Sequence, residues 1–271
     1  MARPLHMESG WLTRADGSSK FAFGSQCSAA SVSGPIEVRI RDELTDSATF
    51  QVGVTPLDGN TGIATTALAA EIESLYKAVV LLHHYPRSLI QLSVQTTSSP
   101  SQASSTVQLS WDGRLHDNKE TEARMPLLLG PDIPFLASET AASINASTLA
   151  LLDANIPMRA TVVATACAVL RREDVDPERD LEPSQSDIHC IVVDPTTLEE
   201  HKALSTHTYA FAISGFEPLI ANTSNVTTEL VYCSSQGPSD ARLRSKLYSY
   251  AEKSVLLILQ SIRSHIESRF E

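Results

Sequence analysis

The stretch FLASETAASINAS, Phe135 to Ser147, places an acid, Glu139, in the first turn of what reads as a buried helix of small residues. A helix N-terminus offers unpaired N–H groups and a positive dipole end, so it binds phosphate when cations, glycines or hydroxyls surround it. Here the charge is negative. From the residues alone two readings stand side by side. Ser138 caps the helix and Glu139 favours its dipole, as in many helices without a ligand, or a phosphate site has lost its cation.

A second acid of chemical interest is Asp194, at the end of the apolar run IHCIVVD. A carboxylate at a strand end can hold a metal or move a proton. It can equally start the turn DPTT ahead of a short helix, TLEEHKAL. His83 and His84 are adjacent, point in different directions on a helix and have no carboxylate four residues on, so no metal is expected there. The segment RADGSS (Arg14–Ser19) lacks the glycines and lysine of a phosphate loop and reads as a turn. There is no GxSxG nucleophile signature. Cys27, Cys167, Cys190 and Cys233 form no CxxC; three of them lie in apolar strand-like runs, which favours buried free thiols in a reducing compartment.

The elements that position these residues follow from periodicity. At 271 residues and 42% hydrophobic, the chain is long enough for a substantial core. From Gly10 to Leu57 the pattern predicts a meander of about four strands, with RADGSS turning between GWLT and KFAFG. Thr61–His84 changes to helical spacing, with Ile63, Leu68, Ile72, Leu75, Val79 and Leu82 near one face, and LIQLSVQTT (Leu89–Thr97) returns to strand. Phe135–Asn155 is a small-residue helix stopped by Asn155 and Pro157. Strands are then expected at MRATVVATACAVL, IHCIVVDP, THTYAFAIS, EPLIANTS and ELVYCSS, ahead of a long helix from about Ser239 to Phe270. That helix carries Leu243, Leu247, Tyr250, Ser254, Ile258, Ile262 and Ile266 at spacings of three or four, a face that needs a sheet to pack on.

Two segments read as surface insertions: a Ser-rich and then charged stretch at 98–132 and an acidic, proline-containing loop at 171–187. Trp111 in the first either anchors a partner or covers the root of its own hairpin. The net charge of −11 argues against a surface that wraps nucleic acid on all sides, leaving room for a local basic groove in an assembly. The start MARPLHMESG lacks the pattern of a signal peptide, and no apolar run approaches the roughly 20 residues of a membrane span, so no membrane role is expected. The sequons at Asn145, Asn222 and Asn225 are then chance matches in a nucleocytoplasmic protein.

Four ordered motifs, LTRADGSSKFAFGSQCSAASVSGPIEV, EIESLYKAVVLLHHYPRSLIQLSVQ, NASTLALLDANIPMRATVVATACAVL and IHCIVVDPTTLEE, together resemble the RNase PH family. The resemblance covers nearly the whole chain apart from the two insertions. It implies an α/β fold of α+β type, with duplicated βαβ-type units and a long C-terminal helix, forming a single domain over 1–271. Active members cleave RNA from the 3′ end with phosphate as nucleophile, and holding phosphate beside an RNA backbone demands cations and donors.

Carried over residue by residue, the family's phosphate motif of Asp, Gly or Ala, Gly, Thr and Arg falls on Phe135, Leu136, Ala137, Ser138 and Glu139. Only the hydroxyl survives, at Ser138. An acid replaces the clamping arginine, reversing an interaction worth about 4 kcal/mol at ~4 Å and an effective dielectric of ~20. A second family arginine falls at or near Ser74, leaving Lys77 as the nearby cation for RNA. Asp194 matches the first of two family aspartates, and Thr208 stands where the second belongs. The resemblance therefore implies no catalytic residues, cofactor or metal. It implies a non-catalytic subunit of the RNA exosome ring that serves RNA degradation and rRNA processing in nucleus, nucleolus and cytoplasm. Its partners would be other RNase PH-like ring subunits, cap subunits with RNA-binding domains, and RNA in the assembled channel. The alternative is a retained 3′-to-5′ exoribonuclease, phosphate-dependent or metal-dependent through Asp194.

Overall fold

The computed structural model describes residues 3–99, 135–172, 175, 189–215 and 227–270. The 98–132 insertion beyond Ser99, with Trp111, most of the 171–187 loop and the expected strand EPLIANTS lie outside the described residues.

The first half builds a five-stranded sheet in the order β1-β2-β3-β5-β4, from β1 (Leu5–Ser9), β2 (Gly17–Phe23), β3 (Gln26–Glu37), β4 (Thr49–Thr55) and β5 (Ser88–Ser98). All neighbours are antiparallel except β4 and β5, which run parallel and are joined through α1 (Ile63–Val79). That is one βαβ unit. The second half gives a four-stranded sheet, β7-β6-β8-β9, from β6 (Thr161–Arg171), β7 (His189–Val193), β8 (Ser205–Ser214) and β9 (Thr227–Gln236). Both β7 and β8 pair antiparallel with β6, so they are parallel to each other across it. The short helix α3 (Thr197–Lys202) connects them as a split βαβ unit.

Between the sheets runs α2 (Ala137–Asp153), which packs on β2, β3 and β5 of one and on β6 and β8 of the other. A helix with sheets on both sides has no solvent face, and every residue from Ala137 to Leu151 is buried. Its polar side chains are consumed by the flanking strands. Asn145 donates Nδ2–H to the Ala164 carbonyl at 2.9 Å and accepts the Ala164 N–H at 2.7 Å, and Thr148 donates to the Val162 carbonyl at 2.7 Å. On the other side Ser19 donates to the Ala146 carbonyl at 2.6 Å, and Ser28 pairs with Ser143 at 3.2 Å. The helix ends as Asn155 and Pro157 predict. Asn155 takes φ 54°, and Ile156 and Asn155 donate to the Leu151 and Leu152 carbonyls.

The outer face of the second sheet is closed by α4 (Ala241–Phe270), which buries Leu247, Ala251, Val255, Ile258, Leu259 and Ile262. With a helix on each side, β6 is buried along nearly its whole length, whereas β5 alternates between buried and exposed because one of its own faces lies open.

Several boundaries differ from the periodic reading. The first strand is Leu5–Ser9 rather than GWLT, because Gly10, at φ 72°, turns the chain out of the β1–β2 pairing. The helix expected to reach His84 ends at Val79. Val80 bridges to Met158 and Leu81 donates to the Pro157 carbonyl, so Leu82–His84 forms a separate 3-10 turn. Ile63 and Tyr250, placed on buried faces by spacing, are 78% and 49% exposed. Of the cysteines only Cys167 is buried, and Cys233 on the edge strand β9 is exposed.

Candidate functional site

Residues from four elements meet at the start of α2. Leu136 holds the N-cap position and has no side chain able to cap, so Ser138 is not the cap that its type suggests. The Ser138 N–H instead donates to Glu200 Oε1 at 2.9 Å, from α3, and its hydroxyl donates to Gln26 Oε1 at 2.6 Å, at the start of β3. Thr208 on β8 donates its hydroxyl to the Ala137 carbonyl at 3.2 Å. The structure thus joins Thr208 to Ala137 by a direct hydrogen bond, beside Ser138.

Glu139 is 3% exposed, and its Oε1 has no hydrogen-bond partner among the described residues. Burial pushes its carboxyl up from the ordinary range and Asp58 adds to the shift, opposed by hydrogen bonds from Thr96 and the backbone at Leu136. Glu200 is pushed up to about 7, chiefly by burial and further by Glu139; the Ser138 hydrogen bonds and Arg3 pull the other way. Two buried carboxyl groups whose environments disfavour charge make a poor seat for a dianion.

Asp194 sits just past β7 in the left-handed region, φ 54°, a conformation aspartate tolerates. Its backbone N–H donates to the Ala166 carbonyl at 2.9 Å. Arg3 grips its carboxylate with the backbone N–H at 3.0 Å, Nε at 3.0 Å and a terminal guanidinium nitrogen, and stacks over the Phe23 ring at 5.8 Å. Both side chains are largely buried, 12% and 7% exposed. Asp194 is therefore held by a cation of the same chain. Lys77 lies elsewhere on the surface, on α1, ion-paired with Glu73 one turn earlier at 2.5 Å, and Ser74 is exposed beside it. Among the described residues no group of three His, Cys, Asp or Glu side chains is placed to hold a metal.

Sequence reasoning missed Glu200 and Arg3. A signal for Glu200 exists in TTLEE. Thr196 caps α3, and Glu199 closes the capping box by accepting the Thr196 N–H at 2.7 Å, so the next acid points elsewhere. Arg3 gives no local signal, being 191 positions from its partner.

Comparison with known proteins agrees with this architecture. Residues 1–157 match the family model described as 3′ exoribonuclease family, domain 1, RNase PH. The chain is 31% identical to the exosome complex component rrp46 of Schizosaccharomyces pombe over 158 residues, 58% of this chain and 54% of that protein. The matched region thus spans about half the length of that relative. It is 27% identical to the exosome complex component RRP46 of Saccharomyces cerevisiae over 206 residues, 76% of this chain and 73% of that one. The crystal structure of Rrp46 from rice (Oryza sativa) superposes with a TM-score of 0.66 at 18% identity, covering 98% of this chain and 95% of that chain. The mixed sheets, the buried central helix and the long C-terminal helix are accordingly an RNase PH fold, and the chain belongs to the RNase PH family.

Proposed function

We propose that the chain is a non-catalytic RNase PH-like subunit of an RNA exosome ring. Membership of the ring is supported by the two yeast relatives, both named exosome complex components. The non-catalytic reading is carried by one observation: where a phosphorolytic enzyme needs a cation, this site has the buried carboxyl of Glu139, with the carboxylate of Glu200 already on the helix N-terminus. Thr208, in the place of the second family acid, is spent on the Ala137 carbonyl.

In this reading the whole chain works as one domain, contributing a wall of the RNA channel and binding neighbouring RNase PH-like subunits and a cap protein. It takes part in RNA degradation and rRNA processing in nucleus, nucleolus and cytoplasm. At a net charge of −11 the isolated chain binds RNA weakly, and channel affinity comes from several subunits together. Lys77 is the candidate RNA contact on α1.

Arg3 favours the second reading, retained phosphorolysis, since it delivers a cation to this region. It is already committed to Asp194 through three hydrogen bonds. The deciding experiment incubates the purified chain, and the assembled ring with and without it, with 3′-extended RNA and inorganic phosphate. No release of nucleoside diphosphates attributable to this chain is expected. Release that depends on it, and is lost in Asp194→Ala, would establish the enzyme reading instead.

A further inference from the structure

Successive side chains of a strand point to opposite faces of its sheet. On β8 Thr208 turns toward the start of α2. His207, Tyr209 and Phe211 therefore turn to the other face, where the Phe211 ring meets Tyr248 of α4 edge-on with centroids 5.3 Å apart. On β9 Ser235 lies opposite His207 and Cys233 opposite Tyr209, which places both on that second face. His207 is fully buried and both of its ring nitrogens meet hydroxyls: Nδ1 is 2.8 Å from Ser235 Oγ, and Nε2 is 3.1 Å from Ser205 Oγ. The two hydroxyls differ in access. Ser205 is buried, whereas Ser235 is exposed on β9, the last strand of its sheet among the described residues. A histidine kept only for packing has no need of a solvent-facing partner, but a nucleophile and its base require this asymmetry: an open hydroxyl, a base within ~2.6–3.2 Å of it, and a third group that orients the base. The Tyr209 ring lies stacked beside the imidazole at 6.1 Å. Burial, and after it the charge of Arg244 on α4, lowers the pKa of His207 and so keeps the ring in its neutral, proton-accepting form.

We propose that Ser235 is a self-acylating nucleophile: its hydroxyl takes an acyl group from an activated carboxylic ester, with His207 as general base and Ser205 as the residue that positions the imidazole. The neutral ring carries one proton. With that proton on Nε2 and donated to Ser205, Nδ1 accepts the Ser235 hydroxyl. As Oγ bonds to the ester carbonyl carbon, its proton passes to Nδ1. When the carbonyl re-forms, the bond from its carbon to the alcohol oxygen breaks, and the departing alkoxide takes the proton back from the imidazolium. The products are an alcohol and an acyl ester of Ser235, with the ring in its starting tautomer. None of these steps involves the residues around α2, so the proposal stands or falls independently of whether the chain cleaves RNA.

The test treats the full chain with p-nitrophenyl acetate near neutral pH and follows acetylation site by site by peptide mass spectrometry. Ser264, an exposed serine on α4, is the reference within the same molecule. Acetylation of Ser235 is expected to be about 100-fold faster than that of Ser264, the low end for a positioned base. In His207→Gln, whose amide still meets both serines but cannot take up the proton, Ser235 should fall to the Ser264 rate. Equal rates at the two serines in wild type, or a Ser235 rate unchanged in His207→Gln, overturns the proposal. Cys233→Ala removes the exposed thiol 3.7 Å from Ser235 Oγ and should leave the Ser235 rate unchanged. Loss of the acetyl group from Ser235 in that variant would show that it arrives by transfer from the thiol, which also overturns the proposal. The ring-nitrogen NMR shifts of His207 in wild-type protein decide the matter even where a variant fails to fold. A protonated Nε2 with a bare Nδ1 is expected, and a proton held on Nδ1 leaves Ser235 without a base and overturns the proposal.

Discussion

Arg3 and Asp194, 191 residues apart, are locked together by the backbone N–H and two guanidinium nitrogens of one and both carboxylate oxygens of the other. This joins the N-terminal segment leading into β1 to the end of β7, and so ties the edge strand of one sheet to an edge strand of the other. Both side chains are largely out of water, which makes the two partners dependent on each other.

Removing one member should therefore cost far more than removing both. Arg3→Ala takes the guanidinium away from the buried Asp194 carboxylate, and a loss of about 3–5 kcal/mol in urea unfolding is expected. The double variant Arg3→Met, Asp194→Asn should lose at least about 2 kcal/mol less than the sum of the single variants, because neither charge is then stranded. Additive losses would show that the pair is not coupled.

Glu200 should make the protein less stable as pH rises, opposite to the usual carboxylate. Its folded-state pKa, raised mainly by burial from 4.5 to about 7, means that the folded protein binds the proton more tightly than the unfolded chain. The stability this contributes is fully present below about 4.5 and is lost between there and about 7, a change of about 3 kcal/mol. Glu139 is shifted in the same direction by the same cause. Glu200→Gln, which carries no titrating group, should flatten the decline in urea unfolding measured from pH 4.5 to 8. An unchanged pH profile in that variant would place the titration elsewhere.

The long, strongly patterned elements were legible from periodicity because their burial repeats every two or three to four residues. Residues such as Leu68, Ile72 and Leu75 on α1, and the alternation along β5, report a face directly. Ile63 and Tyr250 misled because an apolar residue at the right spacing is buried only where a neighbouring element reaches it. At the site, Thr208 bonds the residue next to Ser138, and neither residue's bonds are readable from the sequence. Ser138 donates across the fold to Gln26 and is met by Glu200, where its type alone suggests a local cap. Asp194 shows the same limit, since its turn is local while its partner Arg3 is set by tertiary packing.

Asn145 lies in a sequon, yet its amide is fully buried and bonded in both directions to the backbone of Ala164 on β6. It should stay unmodified under conditions that glycosylate exposed sequons, as read by intact mass. Asn145→Ala leaves a buried N–H and a buried carbonyl without this partner, and a loss of about 2–5 kcal/mol in unfolding free energy is expected. A loss below about 1 kcal/mol would mean that the strand recovers those bonds by another route.

Thr208 offers a test of the non-catalytic reading proposed above, in which it stands where relatives carry a second acid. Its hydroxyl donates to the Ala137 carbonyl and the residue is 2% exposed. Thr208→Asp replaces a donor by a carboxylate that can only accept, facing a carbonyl oxygen and sharing the region with Glu139 and Glu200. Thr208→Val keeps the shape and loses only the bond, for about 1 kcal/mol. The aspartate variant should lose about 3 kcal/mol or more at pH 7, with part of that loss recovered at pH 5 as the new carboxyl takes up a proton. On the proposed non-catalytic reading it should release no nucleoside diphosphates from RNA and phosphate, because that reading keeps the Glu139 carboxyl in the place of the cation. If Thr208→Asp matches wild type in stability, the threonine is not what anchors the start of α2, and the hydroxyl-to-carbonyl contact has no structural weight.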